Sequence, residues 1–299
     1  MKKILFVINP ISGDIDKQEL EENIQAFCRR HEITGQFFKT SGEQDEEKLR
    51  QEIKSFQPET VAAVGGDGTV SLVAKEIINT DVALAILPQG SGNGLSKDLD
   101  IPQTFDEALQ VLIENRVKAI DTLDVNGQVS IHICDMGFNA LVVKRFCEGD
   151  TRGPGAYARI AMQEFIGYTA KNYTITSRGK TLFEGEAFMV TVTNAKAFGS
   201  NAAINPNGII NDGCFEICVM EPFPKMSSIG ILYRLYTDSI DESVYTQRFS
   251  CSEATILNQE DDQIQIDGEP LESEKQVHIK VQPQTLKVLL PPLPDAAAE

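Results

Sequence analysis

The chain has 299 residues, 41% of them hydrophobic and 24% charged, with a formal net charge of −17. That length can bury two separate cores, and the composition is that of a folded globular protein. The acidic balance argues against nucleic acid as a partner and against docking on anionic lipid by charge alone.

Lys2–Ile8 reads as a buried strand. Its lysines and ILFVI run superficially match a secretory leader, but Asn9-Pro10 cuts the apolar stretch short. Leu20, Ile24 and Phe27 recur at helical spacing, Gly35–Lys39 is a short strand, and Leu49, Ile53 and Phe56 mark a helix stopped by Pro58. Val61–Val64 is a third strand, leading into Gly65-Gly66-Asp67-Gly68-Thr69 and a helix with Val73 and Ile77 on one face. Val82–Leu87 follows, then Gly90-Ser91-Gly92-Asn93-Gly94, and a helix around Phe105, Leu109 and Leu112. Strands alternating with helices at this spacing predict an α/β domain with a doubly wound, mainly parallel sheet.

From Asp121 the pattern turns β-rich, with strands predicted at Ala119–Val125, Val129–Phe138, Tyr173–Ser177, Thr181–Thr193, Cys214–Met220, Ala254–Leu257, Gln263–Ile266 and Val277–Val281. Helices are expected around Tyr157–Tyr168 and over Ser227–Tyr236, and Leu286–Leu290 is a last strand. We therefore place a boundary near residue 120, with an all-β second domain over 121–284. Six cysteines without a CxxC pair and three histidines give no zinc signature, and no apolar run reaches transmembrane length. A cytoplasmic protein with reduced thiols is the expectation.

The stretch VAAVGGDGTVS carries the clearest chemistry. Three glycines in four positions let a backbone turn tightly and leave its N–H groups open to a phosphate at a helix start. An acid among them makes sense beside a divalent cation or a moving proton. GSGNG has the same phosphate-cradling character. The chain lacks both the GxGxxG dinucleotide fingerprint and the GxxxxGK[ST] P-loop. Taken singly, Asp267-Gly268 and Asn211-Asp212-Gly213 are ordinary turn signals.

Taken together, and in order, Asn9-Pro10-x-Ser12-Gly13, GGDGT, Ser91-Gly92-Asn93, Asp121, DMGFNA at Asp135–Ala140, Asn211-Asp212-Gly213 and Asp267-Gly268-Glu269 resemble the catalytic domain of the diacylglycerol kinase and sphingosine kinase family. The resemblance implies an α/β nucleotide-binding domain, a β-sandwich domain holding the lipid headgroup, and a C-terminal segment, 285–299, returning to the first domain. It implies an ATP site lined by Asn9, Pro10, Ser12, Gly13, Thr40, Gly65, Gly66, Asp67, Gly68, Thr69, Ser91, Gly92 and Asn93. It further implies Asp67 and Asp121 at a phosphate–magnesium centre and Glu269 as general base on the lipid hydroxyl. Asp212, with the carbonyls of Ile209 and Cys214, would hold a structural Mg²⁺.

Such a protein would phosphorylate diacylglycerol or a similar lipid, touching the membrane transiently, with a homodimer possible. Sphingoid bases, NAD as acceptor and a non-catalytic nucleotide-binding role stay open. The chain departs from many bacterial members at Ser71-Leu72, where they carry Asn-Glu, and at Asn139, where relatives often have Asp.

Overall fold

The computed structural model describes residues 2–10, 17–114, 116–149, 153–196, 202–260 and 262–292. Two compact units emerge, one from residues up to Ile120 together with those from Thr285 on, the other Asp121–Gln284.

The first unit runs β1 (Lys3–Ile8), α1 (Lys17–Arg30), β2 (Thr34–Lys39), α2 (Asp45–Phe56), β3 (Thr60–Gly65), α3 (Asp67–Ile77), β4 (Ala83–Pro88), α4 (Gly94–Asp98), α5 (Phe105–Val111) and the start of β5 (Arg116–Val125). Its strands lie parallel in the order β2-β1-β3-β4. β3 and β4 are buried along their whole length, which is why they read as unbroken apolar runs instead of alternating ones. Ile4, Phe6, Ile8, Ala62 and Val64 meet Leu20, Ile24 and Phe27 of α1 in one core. Each fully buried aliphatic of this kind contributes about 1.5–3 kcal/mol. α2 stops where expected, at Gln57 in the left-handed region just before Pro58.

The second unit continues with β6 (Gln128–Ser130), β7 (Ile133–Gly137), α6 (Phe138–Glu148), α7 (Pro154–Gly167), β8 (Lys171–Ser177), β9 (Lys180–Ala187), β10 (Met189–Thr193), β11 (Phe215–Met220), α8 (Ser228–Tyr236), β12 (Thr246–Cys251), β13 (Glu253–Asn258), β14 (Ile264–Ile266), β15 (Glu269–Leu271) and β16 (Gln276–Leu290). One antiparallel sheet has the order β12-β11-β10-β7-β14-β15, and within this unit the other joins β16, β13, β8 and β9. Val190, Val192, Ile217 and Val219 of the first pack against Tyr173, Ile175, Ile256 and Ile279 of the second, which makes the unit a β-sandwich. The fold is thus α/β followed by an antiparallel sandwich.

Three two-residue turns, Asn126-Gly127, Arg178-Gly179 and Asp267-Gly268, have positive φ at both positions and join neighbouring antiparallel strands. These are the twist-matched hairpin turns.

Several expectations are corrected. The single strand over Val129–Phe138 is broken into β6 and β7, because the amides of Ile131, His132 and Ile133 turn to the Asp267 carboxylate instead of a neighbouring strand. Thr181–Thr193 likewise divides at Phe188, and its halves join different sheets. Val277–Val281 and Leu286–Leu290, read as two strands, are one strand whose end pairs in parallel with β4. The helix α6 departs from the expectation too: it begins inside the apolar stretch assigned to that first strand. Among the described residues no helix is long and apolar enough to cross a membrane.

Candidate active site

In the first unit the strand ends gather the predicted residues. The Asn9 amide donates to Val64 O (3.2 Å), and the Thr40 amide donates to Ile8 O (3.0 Å), so the carboxyl ends of β1, β2 and β3 stay level. Carboxyl ends of parallel strands are where an open α/β sheet binds its ligand. Pro10 is exposed beside them. Ser12 and Gly13 lie outside the described residues.

GGDGT turns directly into α3. The amides of Thr69 and Val70 donate to Gly66 O at 2.9 and 3.1 Å, and Asp67 stands in the first helical turn, where an acid suits the helix dipole. The second glycine loop is stitched to this one. Gln89 N–H donates to Gly65 O (2.8 Å), Gly90 N–H to Asn93 Oδ1 (2.9 Å), and Gly94 N–H to Asp67 Oδ1 (2.8 Å). At Gly90 the backbones touch, and a Cβ there would lie 2.6 Å from Gly66 Cα. A Cβ on Gly92 would lie 2.8 Å from Asp67 Oδ2. Ser91 is exposed at the loop tip.

This junction is rigid, and one prediction follows from it. Gly90→Ala forces backbone atoms apart and lowers stability by about 1–3 kcal/mol, checked by thermal melting. Gly68, by contrast, faces open space, and a Cβ added there would meet nothing within 4 Å.

Ser71 is fully buried, and its hydroxyl finds no hydrogen-bond partner among the described residues. Since an unpaired buried hydroxyl is costly, Ser71→Ala is expected to raise stability by about 1 kcal/mol, readable in a denaturant midpoint.

In the second unit Asp121 is fully buried, and both of its carboxylate oxygens are engaged by backbone amides. Gly213 N–H donates to Oδ2 and Gln284 N–H to Oδ1, each at 2.7 Å. Its own amide donates to Ile210 O (2.9 Å). In this geometry Asp121 clamps the Ile209–Cys214 loop.

The predicted magnesium ligands sit on that loop. Ile209 and Asp212 are exposed, and Asp212 Oδ1 accepts the Cys214 amide at 3.0 Å. A carboxylate and carbonyls on one turn, held from below by Asp121, form a hard-oxygen set of the kind Mg²⁺ takes with waters completing its shell. The chemistry of the set fits. Among the described residues no three His, Cys, Asp or Glu side chains converge.

Glu269 opens β15 just after the Asp267-Gly268 turn and is exposed. What holds it in place was not legible in the sequence. Asp267 is buried, and its carboxylate accepts from Ser130 Oγ (3.1 Å) and from the amides of Ile131 (2.9 Å), His132 (3.0 Å) and Ile133 (3.0 Å). Gly268 N–H donates to Gln265 Oε1 (2.7 Å), and Gln265 Nε2 donates to Asp135 Oδ2 (2.6 Å). Asp135 is fully buried and also accepts from Thr191 Oγ1 and Asn139 Nδ2, both at 2.5 Å. Burial pushes its carboxyl above the ordinary range, against the pull of these three neutral donors. Tyr157 OH donates to Asn139 Oδ1 (2.6 Å) and extends the network to α7. DMGFNA contained Asp135 and Asn139, but only the tertiary fold shows which groups they touch.

Beside the hairpin lies an open groove of about 600 Å³, lined by Lys144, Cys147, Gln263, Pro270, Leu271 and Glu272 among others. Lys144 Nζ reaches Gln263 Oε1 at 2.9 Å across its wall.

Residues 3–125 match the diacylglycerol kinase catalytic domain, and residues 133–290 match the YegS C-terminal NAD kinase beta sandwich-like domain. The chain belongs to the family of the second model, which covers more than half of it. It is a kinase. Over 257 residues, 83% of each chain, it is 28% identical to lipid kinase YegS of Escherichia coli strain K12. A crystal structure of a diacylglycerol kinase from Bacillus anthracis str. Sterne has the same fold, with a TM-score of 0.73 at 21% identity over 97% of both chains. An NAD kinase from Archaeoglobus fulgidus, solved in complex with ATP, aligns with a TM-score of 0.55 at 12% identity, over 96% of this chain and 93% of that one. Family membership fits the two-unit plan, glycine loops on the first and the DGE hairpin on the second.

Proposed function

We propose that the protein transfers the γ-phosphate of ATP, with Mg²⁺, to the hydroxyl of a lipid, with diacylglycerol as the first acceptor to test. One observation carries the reading most directly: two glycine loops brought into backbone contact at the carboxyl ends of β3 and β4, with Asp67 bridging them through the Gly94 amide. Phosphoryl transfer asks a protein for positioning and charge neutralisation, and such a seam supplies a rigid, amide-rich cradle.

Gly66–Thr69 and Ser91–Asn93 would line the phosphates, with Asn9, Thr40 and Asp67 at the rim. Mg²⁺, when bound, offsets the charge that develops on the phosphoryl oxygens. Asp212 with the carbonyls of Ile209 and Cys214 would hold a second, structural ion. Glu269 would take the proton of the acceptor hydroxyl, and Asp267, Gln265 and Asp135 would hold its hairpin in place. The groove beside β15 offers the lipid headgroup both polar and apolar walls.

Gly68→Ala separates this from an ordinary turn. The space is open and alanine favours the helix, so stability holds or rises by up to about 1 kcal/mol. A phosphate seated against that backbone would meet the new methyl group, and the ATP KM would rise. Unchanged ATP kinetics with unchanged melting would place the phosphates elsewhere.

The decisive experiment offers labelled ATP and a panel of lipids in detergent micelles, with Mg²⁺ or with chelator, and extracts the product into organic solvent. Labelled phosphatidic acid, lost on chelation, is the expected result. A labelled sphingoid base would keep the mechanism and change the acceptor. ATP bound without any labelled lipid would overturn the reading in favour of NAD as acceptor or of a non-catalytic protein.

A further inference from the structure

α8 is apolar on both sides, and among the described residues only one side is covered. Ile231 and Leu235 are buried against Met189, Ile204, Cys218 and Met220. On the other side Met226, Ile229, Tyr233 and Tyr236 are 89%, 77%, 69% and 59% exposed. Met226 belongs to a 3₁₀ turn, Lys225–Ser227, that leads into the helix, so the four recur at steps of three, four and three along one face. The side chain of Leu232 adds to the stripe. It also joins α7. Lys225 Nζ donates to Ile166 O (2.5 Å), and Ile166 is itself 69% exposed. A helix that is apolar all round is normally buried on all sides, and a continuous exposed patch of this kind marks a docking surface.

We infer that this face docks on a lipid bilayer, its aliphatic side chains entering the interface and its tyrosines sitting at headgroup level. Two observations choose a bilayer over a second copy of the chain. The stripe from Met226 to Tyr236 is about 16 Å long and about 10 Å wide. Such a face covers a few hundred Å² at most, against about 800 Å² that each partner of a stable interface buries. Charge gives the second. Pro222–Thr237 holds no Asp or Glu, in a chain with 44 of them and a net charge of −17. Two copies would bring that like charge together across a small contact, whereas a carboxylate-free stripe can enter a neutral lipid interface without desolvating an acid. The attraction is therefore apolar and not ionic. The inference deepens the lipid-acceptor reading and rests on it for its purpose.

The test is flotation of the full chain with phosphatidylcholine vesicles, at low and at high salt, alongside an Ile229→Glu/Tyr233→Glu variant. The intact chain is expected to float with the vesicles equally well at high salt, and the variant to lose at least about tenfold in partition. Both positions face solvent, so the variant should melt as the intact chain does. Three results would overturn the inference: an intact chain that stays with the free protein, a variant that floats unchanged, or sedimentation equilibrium showing a dimer that the variant dissociates. Flotation reads no phosphate transfer, so a chain that floats but labels no lipid would refute the proposed reaction and leave the docking face standing.

Discussion

Glu269→Gln is expected to lower kcat for lipid phosphorylation by roughly 10²–10⁴-fold, the range that a positioned general base supplies. The change keeps the shape of the side chain and removes its ability to accept a proton. Because Glu269 sits on the sandwich hairpin and the glycine loops belong to the other unit, the ATP KM and the melting temperature should stay near those of the parent. Steady-state kinetics with ATP and lipid varied in turn would show it. A variant that keeps parental turnover removes Glu269 from the chemistry, and one that also loses ATP affinity makes its role a binding one.

The second large effect concerns Asp267, the residue two places earlier. Asp267→Ala strips a buried acceptor from the Ser130 hydroxyl and from three consecutive backbone amides. Buried donors left unpaired cost about 1–3 kcal/mol each, offset in part as the chain relaxes or admits water, so a loss of roughly 3–5 kcal/mol is expected. The residue also sits at φ 50°, in the left-handed region, where alanine is less at ease than Asp. Urea unfolding monitored in the sandwich would measure it. The activity of the remaining folded fraction should fall too, because the same carboxylate fixes the turn that carries Glu269. A variant within about 1 kcal/mol of the parent would mean that those amides find water, and that the anchor matters little.

These two carboxylates show why DGE is hard to interpret without coordinates. In the sequence, Asp267 is a turn residue and Glu269 the chemically interesting one. In the structure the burial is the reverse of what a functional pair suggests. Asp267 is enclosed and engaged with backbone more than a hundred residues earlier, and Glu269 stands at the surface. Asp121 teaches the same lesson from the other side. The resemblance implies a place for it at a phosphate–magnesium centre, and only the structure shows its two oxygens accepting the amides of Gly213 and Gln284. Sequence spacing tells which residue types are present, while the identity of a carboxylate's partners is a long-range property.

Local patterns carried the sequence reading as far as local physics reaches. Helical spacing marked α1, α2 and α3, the unbroken apolar runs marked β1, β3 and β4 as strands of a parallel sheet, and the Gly-rich loops marked where the backbone must turn and touch. Those signals depend on residues within a turn or two of one another, so the chain displays them directly. Tertiary structure alone decided where the long β runs break, since Ile131 and His132 leave the strand pattern for Asp267. It alone placed Gly66 against Gly90, linked Glu269's hairpin through Gln265 to Asp135, and left one face of α8 bare. Each of these turns on a partner distant in sequence, and burial and hydrogen-bond completion are settled only when the packed elements meet.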